Sequence, residues 1–245
     1  MKIFAASLSF CKFGLKGKPG QMLEEAGIEV VANTRGEKYG EDDLLEIIGD
    51  YDGLITGTDE VSKRVIEKGK KLKIIAKNGV GYDNIDVPAA TESGVYVTIT
   101  PGAVEQAVAD STLGLMLDLA RNITRGHQAI HGDGWNRIMG TEIWEKRLGI
   151  IGMGAIGRSV ASRARGFNME IFAFDPFIDL EYCDQFGIKS SELDEIFKVC
   201  DYISIHCLLN DSTRHLVSRD RLNMMKPTAF IINTVSYTHL TLPTK

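Results

Sequence analysis

What the sequence is short of narrows its function first. Only four of its 245 residues are cysteine (Cys11, Cys183, Cys200 and Cys207), and no two of them form a C-x-x-C. That scarcity and spacing exclude a disulfide scaffold and a zinc ribbon, and they imply reduced thiols in a cytoplasmic protein. There is no basic excess either. The formal net charge is -5, which argues against a nucleic-acid surface. The densest basic run, residues 68–73, is short and reads as a solvated helix end. No apolar run approaches the ~18 residues a membrane span requires. The N-terminal apolar stretch Ile3–Phe10 is interrupted by Ser7 and Ser9 and runs into Cys11-Lys12. This does not fit a secretory segment with its cleavage site, so a first β-strand is expected. Low-complexity tracts and short repeats are also missing. What remains, 44% hydrophobic and 25% charged, is the composition of a globular chain of one or two domains.

The first hundred residues repeat a strand-then-helix rhythm. Strands are expected at Lys2–Leu8, Ile28–Ala32, Gly53–Thr56, Leu72–Ala76 and Val95–Ile99, with helices near Gly20–Ala26, Asp42–Ile48, Ser62–Lys68 and Val87–Glu92. Strands spaced by helical crossovers imply parallel pairing, hence a small α/β sandwich. Thr100-Pro101-Gly102 breaks the rhythm. A long helix is expected next, with Val104, Ala107, Val108, Ser111, Leu115, Leu119 and Ile123 on one face and Leu113, Met116 and Leu117 on another. A helix so apolar implies burial against two neighbours, either two domains or two subunits. The polar, glycine-bearing stretch His127–Lys146 reads as a loop. Beyond it, strands are expected at Leu148–Ile151, Glu170–Phe174, Tyr202–His206 and Ala229–Asn233, with a weak one near Ile188.

Gly152-Met153-Gly154-Ala155-Ile156-Gly157 is a G-x-G-x-x-G that leaves a strand and opens a helix. A second strand ends at Asp175, 23 residues beyond the first glycine. This is the spacing of a dinucleotide-binding fingerprint. Gly152 permits the tight turn, Gly154 lets the backbone approach a pyrophosphate, and Gly157 lets helix pack on strand. Amides of Ala155 and Ile156 face the phosphate from the positive end of the helix. Asp175 accepts ribose hydroxyls of NAD and repels the 2′-phosphate of NADP, and Pro176-Phe177 supply no arginine to offset that repulsion. NAD is the expected cofactor.

Four stretches in order now resemble the D-isomer-specific 2-hydroxyacid dehydrogenases, especially their phosphoglycerate dehydrogenase-like members. They are Lys77-Asn78-Gly79-Val80-Gly81-Tyr82-Asp83-Asn84-Ile85-Asp86, then Thr100-Pro101-Gly102, then the glycine loop with Asp175, and finally residues 225–234 ending Asn233-Thr234. Residues 205–214 resemble a further family signature, with Leu208 at a usual proline. The resemblance implies a flavodoxin-like substrate domain over 1–100 and an incomplete Rossmann NAD-binding domain over 101–234, both with parallel sheets. It also implies hydride transfer between NAD and a D-2-hydroxy acid or 2-keto acid. The expected pair is 3-phosphoglycerate and 3-phosphohydroxypyruvate, with hydroxypyruvate or glyoxylate as the alternative. A non-catalytic NAD-sensing scaffold is the alternative of another class.

By the same resemblance, amides of Val80 and Gly81 hold the substrate carboxylate, and Lys77 stands where a basic residue reaches towards a substrate phosphate. Thr100, Cys207 and Thr234 border the cofactor, and the intact protein pairs as a dimer through 104–123. The family's catalytic arginine, glutamate and histidine have no counterpart here. Ser236 follows Asn233-Thr234-Val235 where the arginine is expected. His206, His215 and His239 do not stand where the family's histidine does, and His127 and His131 lack a third ligand for a metal. No catalytic side chain is assigned. The last residues, VSYTHLTLPTK over 235–245, resemble a translated sequencing adapter, so the chain reads as cut just before that arginine.

Overall fold

The computed structural model describes residues 1–132 and 137–235. Trp135, His239 and the expected tail from residue 236 onward lie outside the described residues. The chain forms two compact units, Met1–Ala103 and Val104–Lys245.

The first unit is a parallel sheet of β1 (Lys2–Ala5), β2 (Glu29–Ala32), β3 (Gly53–Thr56), β4 (Ile74–Lys77) and β5 (Tyr96–Thr98), in the order β2-β1-β3-β4-β5. Its crossovers are α1 (Lys18–Glu25), α2 (Glu41–Ile47), α3 (Lys63–Lys68) and α4 (Val87–Glu92). This is the flavodoxin-like order, in which the chain changes direction across the sheet between β1 and β3. Capping fixes where the helices start. Ser62 accepts the Val65 amide ahead of α3, and Asp86 accepts the Ala89 amide at 2.9 Å ahead of α4. The first strand is shorter than the expected Lys2–Leu8. It stops at Ala5, and a helical turn follows in which the Cys11 amide donates to the Ser7 carbonyl at 2.9 Å. The core has Leu44, Ile48, Leu54, Val65, Ile66 and Ile75, none more than 1% exposed. Each such side chain stabilises the unit by about 1.5–3 kcal/mol relative to exposure.

The second unit is also a parallel sheet, of β6 (Arg147–Ile151), β7 (Glu170–Phe174), β8 (Lys189–Ser190), β9 (Tyr202–Ile205) and β10 (Phe230–Asn233). The order β10-β9-β6-β7-β8 places the first strand at the centre, with the next two strands on one side and the last two on the other. This is the Rossmann arrangement, and its crevice opens at the carboxyl ends of β6 and β9. Helices α5 (Glu105–Arg121), α6 (Ile123–His131), α7 (Ala155–Ala164), α8 (Leu180–Phe186), α9 (Leu193–Val199) and α10 (Arg219–Met224) complete it. Both sheet faces are covered, so the strands are apolar at successive residues rather than alternating. On one face Leu148, Ile150, Ile171, Tyr202 and Ile232 pack with α5 and α7; on the other, Ile151, Phe172, Ile203 and Ile205 pack with α9.

The long helix differs from its reading in two ways. Its buried stripe is Ala109, Thr112, Leu113, Met116 and Ala120, while Leu115, Leu119 and Ile123 are 40–58% exposed. The more apolar face therefore looks outward from this unit. The helix also ends earlier than expected, because Asn122 takes a left-handed conformation (φ 54°), a position open to asparagine. A second helix, α6, then runs through His131, over residues expected to begin a loop. The His127 and His131 rings lie on it 4.4 Å apart, centroid to centroid.

Candidate cofactor and substrate sites

In the second unit the sequence-predicted cofactor residues gather at the carboxyl ends of the strands. Gly152 ends β6 with φ 99°, a conformation an L side chain rarely adopts. A Cβ there would sit 2.6 Å from the Cys207 nitrogen and 2.7 Å from the His206 carbonyl carbon. The glycine therefore lets the loop lie directly against the backbone leaving β9. Gly157, one turn into α7, would place a Cβ 2.1 Å from the Gly152 carbonyl oxygen, so helix and turn close only without one. Gly154 is the N-cap of α7 and has no atom within 4 Å of where its Cβ would be. Its bareness serves nothing inside the protein; it leaves open space over the helix start. Ala155 and Ile156 are the first residues of that helix, whose opening amides have no intrahelical acceptor.

Asp175 follows β7, and both of its oxygens are held by the backbone. One accepts the Met153 amide and the other the Phe177 amide, each at 2.9 Å. The carboxylate is thus tied to the glycine loop itself, and the loop and the acid form one rigid rim. Pro176 and Phe177 stand out from it, with Phe177 92% exposed. On the other side, Cys207 is half-buried and desolvation pushes its thiol pKa up to about 11, so the group is a neutral thiol there. Thr234 follows β10 with its hydroxyl 3.3 Å from that of the fully buried Thr112 on α5.

In the first unit Lys77, Val80, Gly81 and Thr100 lie at the carboxyl edge of that sheet. Gly79 takes φ 148°, and Thr100 clasps it: the Thr100 amide donates to the Gly79 carbonyl at 2.9 Å, and the Gly79 amide reaches the Thr100 hydroxyl at 3.1 Å. Two of the sequence stretches are thereby joined, which fixes the half-buried bend through Val80 and Gly81. Lys77 is 9% exposed, and its ammonium turns inward to the Gly57 carbonyl and, at 2.7 Å, to Asn84 Oδ1. Burial lowers its pKa, against the opposing charges of Asp83 and Asp59.

Sequence reading passed over several polar groups at these edges. Asn78 donates to both Ser9 (2.9 Å) and Ser7 (3.1 Å), placing three neutral polar side chains beyond β1 and β4. Asp59, 1% exposed, accepts the Tyr39 and Gly57 amides and the Thr56 hydroxyl. Ser7 fell inside the strand expected over Lys2–Leu8 and Ser9 just after it, so their place beyond β1 was not legible, and Asp59 carried no signal either. Among the described residues no cluster of three His, Cys, Asp or Glu side chains could hold a metal ion, and no helix is long and apolar enough to cross a membrane.

A glycine loop and tethered acid at the switch point of a Rossmann sheet define a dinucleotide-binding domain. Residues 113–236 match the D-isomer specific 2-hydroxyacid dehydrogenase NAD-binding domain, and the chain belongs to that family. It is 41% identical over 219 residues to the D-3-phosphoglycerate dehydrogenase of Methanocaldococcus jannaschii, covering 87% of this chain and 41% of that protein. It is also 41% identical over 206 residues to the hydroxypyruvate reductase of Thermotoga maritima, covering 81% and 65% respectively. Among solved structures, the NAD+-bound 3-phosphoglycerate dehydrogenase of Entamoeba histolytica superposes with a TM-score of 0.78 at 31% identity, over 95% of this chain and 71% of that one. The chain thus spans about two fifths of the length of the first relative and about two thirds of the second.

Proposed function

We propose that the intact protein transfers hydride between NAD and a D-2-hydroxy acid or its 2-keto acid. The observation that carries the proposal is the rim formed by Gly152, Gly154, Gly157 and the backbone-held Asp175. It offers open amides to a pyrophosphate and a carboxylate to a ribose. In this reading residues 101–234 bind NAD through Gly152, Gly154, Ala155, Ile156, Gly157, Asp175, Pro176, Cys207 and Thr234, aided by Thr100. Residues 1–100 hold the substrate carboxylate on the amides of Val80 and Gly81. When bound, the nicotinamide supplies the hydride acceptor or donor. The part of these residues is to hold and orient both molecules, and the intact protein works in the cytoplasm as a homodimer.

The 3-phosphoglycerate and 3-phosphohydroxypyruvate pair is the substrate we infer, since the motif around Lys77 and relatives named for that activity support it. Hydroxypyruvate or glyoxylate is the second reading, favoured by the inward turn of the Lys77 ammonium. The 245 residues themselves offer no arginine after Asn233-Thr234, so we propose that this chain alone binds NAD weakly and turns over no keto acid. An NADH oxidation assay with 3-phosphohydroxypyruvate, hydroxypyruvate and glyoxylate tests both points: on this chain, turnover above background would overturn the proposed inactivity, and on the intact protein the preferred keto acid would decide the substrate.

A further inference from the structure

Met153, the residue between the first two glycines of the loop, is 5% exposed, and side chains engage both of its backbone groups. Its amide donates to Asp175 at 2.9 Å, and its carbonyl accepts from Arg158 Nε at 3.2 Å. Arg158 stands in the first turn of α7, and its guanidinium has two further partners at the start of α8. Nη2 donates to Asp179 Oδ2 at 3.1 Å, and the group lies 4.1 Å from the centre of the Tyr182 ring. Asp179 is the N-cap of α8, and its other oxygen takes the Tyr182 amide at 3.0 Å.

These contacts close a ring. Residues 175–179 lead from β7 into α8, and both of their ends are tied to Met153: Asp175 directly, Asp179 through Arg158. The ring thus sets one arginine among two carboxylates. Asp175 and the guanidinium flank a single residue, which puts Nε within about 10 Å of the carboxylate, one Debye length at ordinary salt. Arginine is the side chain a phosphate best recruits, because its planar fork matches the phosphate oxygens. Here Asp179 takes one tine of that fork, Met153 takes another, and Tyr182 covers its face.

We propose that Asp179 is a second determinant of cofactor choice: by pairing with Arg158 it withholds from a 2′-phosphate a cation that would offset the repulsion of Asp175. The inference rests on the NAD reading above and adds to it a residue that acts through Arg158. The pair is solvent-exposed, with side chains 38% and 44% accessible, so breaking it changes nucleotide preference and not folding. Asp179→Asn is nearly isosteric, keeps a cap oxygen for the Tyr182 amide, and removes the charge that holds the guanidinium. NADH and NADPH would be titrated into the full chain, this variant, Arg158→Gln and the double variant. The expected result for Asp179→Asn is NADPH binding about fivefold tighter, with NADH binding unchanged. In the Arg158→Gln background the same substitution should leave the ratio of the two affinities where it was, because no cation is freed. A purely structural role for Asp179 would weaken both nucleotides together. That outcome, an unmoved ratio in Asp179→Asn, or an equal gain for NADPH in the Arg158→Gln background would overturn the proposal; the last would mean that only a negative charge had been removed. Failure of the unaltered chain to bind either nucleotide would overturn the NAD reading itself, and this inference with it.

Discussion

Adding one methyl group at Gly154 should cost the protein its cofactor and little else. The substituted Cβ meets no atom within 4 Å, and the residue sits at φ -71°, ψ -163°, a conformation alanine adopts freely. Two small effects oppose each other. Alanine is a poorer N-cap than glycine, and it lowers the entropy of the unfolded chain, so Gly154→Ala should lie within about 1 kcal/mol of wild type. The same methyl at Gly157 falls 2.1 Å from the Gly152 carbonyl oxygen, well inside contact distance. Backbone must move to admit it, at a cost of about 3 kcal/mol or more. Urea unfolding followed by circular dichroism measures the stability difference, and NADH titration measures binding. Gly154→Ala should unfold with wild type yet bind NADH more than about tenfold more weakly, a loss above about 1.4 kcal/mol. If it unfolds as early as Gly157→Ala, or binds NADH as wild type does, the assignment of Gly154 to ligand approach is refuted.

Two further outcomes follow from other parts of the molecule. The His206 pKa is depressed from 6.5 to about 4, so as pH falls through that window the unfolded chain takes up a proton the folded one refuses. Stability should be full above about pH 6.5 and drop by about 3 kcal/mol on approaching pH 4, and His206→Asn should flatten that slope in urea titrations. Separately, Leu115 and Leu119 are 45% and 40% exposed on α5 and leave the buried stripe of that helix untouched. If this face pairs two copies, Leu115→Glu with Leu119→Glu should lower the sedimentation mass to that of one chain without changing the unfolding midpoint.

The sheet of each unit was legible because the evidence for it is local. Apolar strands spaced by crossovers compel parallel pairing, and the glycine loop announces its own turn, helix start and acid. The long helix was legible as a helix but not in its orientation, because both faces are apolar. Ala109 and Thr112 are buried beside Leu113 and Met116, whereas Leu115 and Leu119 are left outside, and periodicity weighs hydrophobicity rather than fit. The stop at Asn122 was missed because a left-handed asparagine leaves no pattern in hydrophobicity. Lys77 shows a further limit. Its place in a motif suggested a partner in solution, but the ammonium finds Gly57 and Asn84, and only the folded loop brings those together. The clasp of Gly79 by Thr100 joins residues 21 apart and is equally invisible in sequence order.

In the proposed function the tethered Asp175 admits NAD and turns away NADP. Its most direct test is a paired titration of the full chain with NADH and NADPH, followed by energy transfer from tryptophan, with Asp175→Ala alongside. NADH should saturate the signal, NADPH should bind at least about tenfold more weakly, and the substitution should erase the difference between them. Equal affinities in the unaltered chain, or a preference for NADPH, would contradict it.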